Sequence, residues 1–229
     1  MNAFFALVAT ALTLFTAPVV AIGLADLSNK DTVAGMKEAL TKGSQAAVEM
    51  LAKQDGFLGN DRVRIRLPES LHQVEGLMRC LGMGKYADEL VTTMNRAAEA
   101  AVAEARPLLV NAVKNMSVQD AKGILTGGED AATQYFKRST SAGLTGKFLP
   151  IVKKATQKVK LADKYNEFAG KGAKLGLIDQ KDADLNNYVT QKALDGLFLM
   201  IAEEEKKIRK DPVGSASSII SKVFGAIGK

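Results

Sequence analysis

Leu197-Phe198-Leu199-Met200-Ile201 decides how the chain is read. These five apolar residues sit in a helix-favouring stretch and present apolar surface on every side. A helix of that kind has neighbours all round. The segment predicts a helix running to about Lys210 at the centre of a bundle, capped at its start by Asp182 or Asp184. Beyond the apolar run the character switches to Glu203-Glu204-Glu205-Lys206-Lys207. There Glu203–Lys207 and Glu205–Arg209 stand in the favourable i,i+4 order, and the helix is expected to pass from the core into water. Asp211-Pro212 stops it. A short amphipathic tail follows, with Ile219, Ile220, Val223, Phe224 and Ile227.

Upstream, Val33, Met36, Leu40, Ala47 and Leu51 recur at three- and four-residue spacings, one face of a long helix. Ser28 or Asp31 can cap it. Gln54 to Asp61 is rich in turn formers. Val63-Arg64-Ile65-Arg66-Leu67 then alternates at period two, which predicts an extended segment near residues 62–67 with one buried face. A hairpin would need a second such segment, and the sequence shows one. Pro68 suits the first turn of a helix striped by Leu71, Val74, Leu77, Met78 and Leu81 and ended by Gly82 and Gly84. Cys80 reads there as a small core residue and His72 as a surface or partly buried one. A long helix is expected over Lys85–Asn115, kinked or broken by Pro107. Ser117 and Asp120 resemble a capping box, and Gly127-Gly128 ends the helix that follows. Glu129 and Asp130 favour a helix start. That helix carries Ala132, Tyr135 and Phe136, and a further one carries Phe148, Ile151, Val152, Ala155 and Val159. Ala169 to Leu177 holds three glycines and reads as a loop or a broken helix. No internal repeat or long linker interrupts the pattern. The fold class is all-α: one multi-helix bundle spanning residues 26–229 around a central apolar helix.

Residues 1–25 stand apart. They contain no Lys, Arg, Asp or Glu, and the apolar run breaks at Pro18 before the small residues Ala21, Gly23 and Ala25. This predicts a secretory signal peptide cleaved after Ala21 or Ala25, and hence an exported, periplasmic protein. The run before Pro18 is short for a membrane span of roughly 20 residues. Cys80 is the single cysteine, so no intramolecular disulfide can form.

No catalytic set stands out. A Ser-His-Asp arrangement would have to use His72, the single histidine. One His and one Cys leave little for a zinc site. The carboxylate groups Glu129-Asp130, Asp182/Asp184 and Glu203-Glu204-Glu205 each have a place as a cap or a solvated face. Leu125-Thr126-Gly127-Gly128 lacks the Lys-Ser/Thr of a nucleotide loop. No cofactor is expected.

Charge says more. The chain carries a formal +6. Between Lys137 and Lys174 ten basic residues face only Asp163 and Glu167, a net of +8, which leaves −2 for the rest. Such a region suits anionic headgroups, a polyanionic glycolipid or an acidic partner, if it is not a solvated face. Nucleic acid is disfavoured: Trp is absent and the aromatics are not interleaved for base stacking.

Several stretches resemble a bacterial family known as domain of unknown function 4197. They are Met36-Lys37-Glu38-Ala39-Leu40, Asp55-Gly56-Phe57-Leu58-Gly59-Asn60 and Arg64-Ile65-Arg66-Leu67-Pro68. Further ones are Ala121 to Gly128, Phe148-Leu149-Pro150-Ile151-Val152 and Tyr188 to Phe198. The resemblance runs from about Leu27 to Phe224. It implies a signal sequence in a Gram-negative bacterium and no assigned reaction, cofactor or catalytic residue.

The sequence therefore points to a non-enzymatic periplasmic binding or interaction protein, with a lipid, another amphiphile or an anion as ligand and peripheral membrane contact as one setting. Tyr135 and Arg138, with Lys153 and Lys154 as anion contacts, are its candidate ligand residues. A second reading is a structural or chaperone-like partner of envelope proteins acting through the tail. A third is an enzyme of unfamiliar type built on a buried polar cluster of Thr190, Gln191 and Asp195.

Overall fold

The computed structural model describes residues 28–69, 72–159, 162–163, 165–166, 174, 184–215 and 217–226. The signal segment and the glycine-rich stretch 169–177, apart from Lys174, lie outside the described residues. Eight α-helices appear among those described: α1 (Asn29–Ala52), α2 (His72–Cys80), α3 (Gly84–Ala103), α4 (Arg106–Asn115), α5 (Val118–Thr126), α6 (Ala131–Thr156), α7 (Leu185–Lys210) and α8 (Ser218–Gly225). No β-strand occurs among the described residues. The all-α expectation holds, and no described helix is long and apolar enough to cross a membrane.

α7 is packed by α1, α3 and α6, as its apolar run requires. Leu197, Phe198, Met200 and Ile201 are buried, but Leu199 is 39% exposed, so one side of the run is open. Asp184 caps the helix, accepting from Asn186 N–H at 2.7 Å and Asn187 N–H at 3.2 Å. Ser28 caps α1, and Ser117 and Asp120 form the reciprocal capping box of α5.

Several boundaries differ from expectation. Pro68 closes the extended segment and Glu69 directly after it is already in helical geometry; residues 70 and 71 lie outside the described residues, and α2 is described from His72. Gly82, at φ 73°, closes α2, whereas Gly84 opens α3. Cys80 is exposed, not a core residue, because it lies at the end of α2 beside this turn. The long helix breaks at Glu104–Ala105 with Pro107 in the first turn of α4. A proline ring clashes with the carbonyl four residues back, which is that of Ala103, the last residue of α3. Conversely, the two helices expected after Gly128 are one. α6 runs through Pro150, because Pro150 and Gly146 both lie on the exposed side, where water serves the orphaned carbonyl.

The acidic stretch of α7 does not simply emerge into water. Glu205 is buried, and its two oxygens accept from Ala132 N–H and Thr133 N–H at 3.0 Å each. They are donors that the start of α6 leaves without intrahelical partners, and Asp130 supplies no side-chain cap. Arg209 pairs with Glu205 as expected and also donates to Ile124 C=O at 2.7 Å. Glu203 does not meet Lys207: it pairs with Arg62, and Lys207 takes Glu204. The tail helix α8 buries Ile220, Val223 and Phe224 against α1. A Cβ at Gly35 would stand 2.6 Å from Val223 Cγ2, so glycine is what lets the two helices meet.

Candidate functional site

The site begins with Val63–Leu67. Val63, Ile65 and Leu67 are buried and Arg64 and Arg66 exposed, the period-two pattern of an extended chain. Among the described residues it has no partner strand. Instead the amide of Asn95, on α3 and 0% exposed, faces Ile65. Asn95 Oδ1 accepts from Ile65 N–H and its Nδ2 donates to Ile65 C=O, both at 2.8 Å. One side chain thus does what a neighbouring strand would do for that residue.

The turn before it is held in the same way. Glu99, one helical turn beyond Asn95 and buried, accepts from Phe57 N–H at 3.1 Å and Leu58 N–H at 3.3 Å. Arg96 bridges Glu99 and Asp55 at 2.7 Å each, steadying Asp55 at its positive φ of 64°. Phe57 is fully buried and seats on α7 at Gly196, where a Cβ would come within 2.7 Å of Phe57 Cε1. Tyr188 OH donates to Arg66 C=O at 3.1 Å, and Arg62 pairs with Glu203, both from α7. The Arg62 hydrogen bond and charge hold the Glu203 carboxyl below its ordinary range.

Rigidly held, the segment separates two grooves. One, of about 660 Å³, lies toward α2 and α3 and is walled by Arg64, Arg66, His72 and Arg79. The other, of about 360 Å³, lies toward α7 and is walled by Arg62, Arg64, Arg66 and Lys192 with Asp195 and Leu199. Arg79 is neutralised by Glu75 at 2.8 Å and Asp88 at 2.6 Å, and Arg62 by Glu203. Among the described residues Arg64 and Arg66 make no direct ion pair, although the Arg64 charge lies near enough to Asp88 to help Arg79 hold that carboxyl below its ordinary range. The two planar, always-charged forks project from alternate positions of a pinned chain, an arrangement suited to carboxylate or phosphate oxygens.

The residues expected to bind do not converge. Tyr135 is 8% exposed and spends its hydroxyl on Ala112 C=O at 2.7 Å; burial raises its pKa above the ordinary value. Arg138, Lys153 and Lys154 are exposed on α6. Arg138 and Lys153 are separated by fifteen residues of one helix, about 22 Å at 1.5 Å per residue. The described lysines of the +8 stretch point to several sides of that helix. Thr190, Gln191 and Asp195 do not form a buried cluster. Thr190 is 2% exposed with its Oγ1 unpartnered, whereas Gln191 and Asp195 are exposed and bond to each other at 2.9 Å. Helix geometry accounts for this: Gln191 and Asp195 share an outer face, one position round from the buried Thr190. The apolar space beside Glu205 is about 20 Å³, room for one water.

Sequence reasoning missed Asn95 and Glu99. A polar pair at i,i+4 on an otherwise alanine- and methionine-rich face was the available signal. It also treated Arg64 and Arg66 only as the outer face of a strand.

A family model described as a protein of unknown function (DUF4197) matches residues 26–225. The chain belongs to this family. No curated protein and no solved structure matches it. Three of the stretches that carry the DUF4197 resemblance, at residues 55–60, 64–68 and 188–198, meet at the arginine segment. In this DUF4197 chain the turn at 55–60 and the α7 face at 188–198 therefore work together structurally, presenting Arg64 and Arg66 on a fixed backbone.

Proposed function

We propose that the protein is a non-enzymatic binding protein of the bacterial periplasm, exported by its cleaved signal segment, and that its ligand presents anionic oxygens to Arg64 and Arg66. The observation that carries this is the pair of guanidinium groups without a direct ion pair, on a segment pinned by Asn95, Glu99 and Tyr188. Pinning matters because ordering a flexible loop on binding costs affinity, and this backbone is ordered beforehand. Charge-assisted hydrogen bonds contribute about 1.5–3 kcal/mol each, so removing both forks should weaken anion binding by at least about tenfold. A capture role through the tail has less support, since the apolar residues of α8 are buried.

Native mass spectrometry of the mature protein, purified from the periplasm of its own host, tests the reading. The expected result is a reproducible anionic adduct on the wild type and on Lys153→Gln/Lys154→Gln, and a bare mass for Arg64→Gln/Arg66→Gln. An adduct that survives loss of both arginines but not of the lysines would move the site to α6 and overturn the assignment.

A further inference from the structure

In an extended chain, successive residues turn their backbone N–H and C=O to opposite edges. Ile65 faces α3, and Asn95 occupies both of its groups. Arg64 and Arg66 therefore face α7, which the Tyr188 contact to Arg66 C=O bears out. On that edge, among the described residues, Arg64 C=O and Arg66 N–H have no hydrogen-bond partner. They border the groove of about 360 Å³ between the segment and α7. These are the two groups that a single residue of a parallel neighbour engages, donating to one and accepting from the other.

We infer that this groove binds an extended acidic peptide, added as a parallel strand beside Val63–Leu67. The inference rests on the anion-binding reading and specifies its ligand. Side chains of the added strand alternate between two faces. Those on the outer face lie beside Arg64 and Arg66, where opposite charge across a strand pair is favourable. Those on the inner face lie beside the exposed side of Leu199, where only small apolar residues fit, since Phe57 and Val63 already fill the space at Gly196. Lys192 on the far wall adds a cation, and Asp195 is the one acidic residue lining the groove. Backbone bonds supply affinity and the alternating side chains supply selectivity, as in other strand-addition sites.

The test uses the full mature chain and isothermal titration calorimetry. The probe is an N-acetylated, C-amidated peptide of alternating Glu and Ala residues, with inorganic tripolyphosphate as an anion without a peptide backbone. Two versions of the peptide are N-methylated, one at every Ala and one at every Glu. The residue opposite Ile65 shares its inward face, so it is an Ala, and its N–H is the donor to Arg64. N-methylation at Ala should weaken binding about tenfold, the loss of one hydrogen bond of about 1.4 kcal/mol. N-methylation at Glu, on the outer edge, should change it less than about threefold. Arg64→Gln/Arg66→Gln should weaken both peptide and tripolyphosphate, with the far-ultraviolet dichroism unchanged. If both methylated peptides bind like the parent, charge alone is recognised and strand addition is overturned, while the anion site stands. If neither peptide nor tripolyphosphate binds the wild type, the anion-binding reading falls as well.

Discussion

Two regions of this protein carry conspicuous positive charge, and they are built on opposite plans. The stretch from Lys137 to Lys174 is the denser, yet its members on α6, Lys137, Arg138, Lys147, Lys153 and Lys154, are all exposed around that helix. At about 100° per residue a helix disperses such a run over its circumference. The stretch at 62–66 has three arginines in five residues; Arg62 lies in the turn and pairs with Glu203, and in the extended part a period of two keeps Arg64 and Arg66 on one face. Buried polar groups then fix the backbone that bears them. The density of charge along a sequence is thus a poor guide to its concentration in space; the period of the element decides.

The largest effect should come from breaking what fixes the segment. Asn95→Leu leaves Ile65 N–H and C=O buried without partners and should cost about 2–4 kcal/mol, a Tm drop of roughly 5–15 °C for a chain of this size. Replacing Lys153 and Lys154 should change stability by less than about 0.5 kcal/mol, as for ordinary surface positions. Differential scanning calorimetry checks both. An Asn95 variant as stable as the wild type would mean that the segment is not pinned through its amide.

A smaller effect separates the anchoring of α6 from the arginine segment. Glu205→Gln removes one of two acceptors at the start of α6 and leaves Arg209 without its counter-charge. About 1–3 kcal/mol should be lost by denaturant titration. Tripolyphosphate affinity of the remaining native protein should stay within about twofold of the wild type, because the arginine segment touches α6 nowhere in its hydrogen bonding. A parallel loss of binding would show that α7 couples the two ends of the molecule, and the contrast between the regions would then be less sharp than the geometry makes it.

Much of the frame is legible in the sequence. Period 3.6 gives α1 and α7, and the caps Ser28, Ser117 with Asp120, and Asp184 are local in the chain. So is the alternation at 63–67. What is not legible is non-local satisfaction. Glu205 caps a helix 72 and 73 residues away, Asn95 serves a residue 30 away, and Glu99 a turn 41 and 42 away. Nothing in the spacing of a Glu-Glu-Glu run says which carboxylate turns inward. The same blindness placed Cys80 in the core and gathered Gln191 and Asp195 with Thr190. Neighbours in sequence are not neighbours on a helix face, and a residue at a helix end meets less of the core than its stripe suggests. The candidate site was half visible: its exposed arginines were read, but its significance comes from the polar partners beneath it.

The smallest predicted effect is a pH dependence confined to the arginine side. Glu203 is held below its ordinary value by Arg62, so the pair contributes stability above the ordinary carboxylate pKa of about 4.3. As pH falls through the lowered folded value, the carboxylate takes up its proton and that contribution is lost. Glu203→Gln should therefore melt slightly below the wild type at pH 7, and the two curves should converge as pH falls below about 4. Lys153→Gln/Lys154→Gln should track the wild type at every pH. The pair is largely exposed, and screening keeps the difference small, so it should shrink further in high salt. A Glu203→Gln gap that persists unchanged down to a pH of about 2.5, well below the ordinary carboxylate range, would mean that Glu203 acts by packing, and that Arg62 is as available to an anion as Arg64 and Arg66.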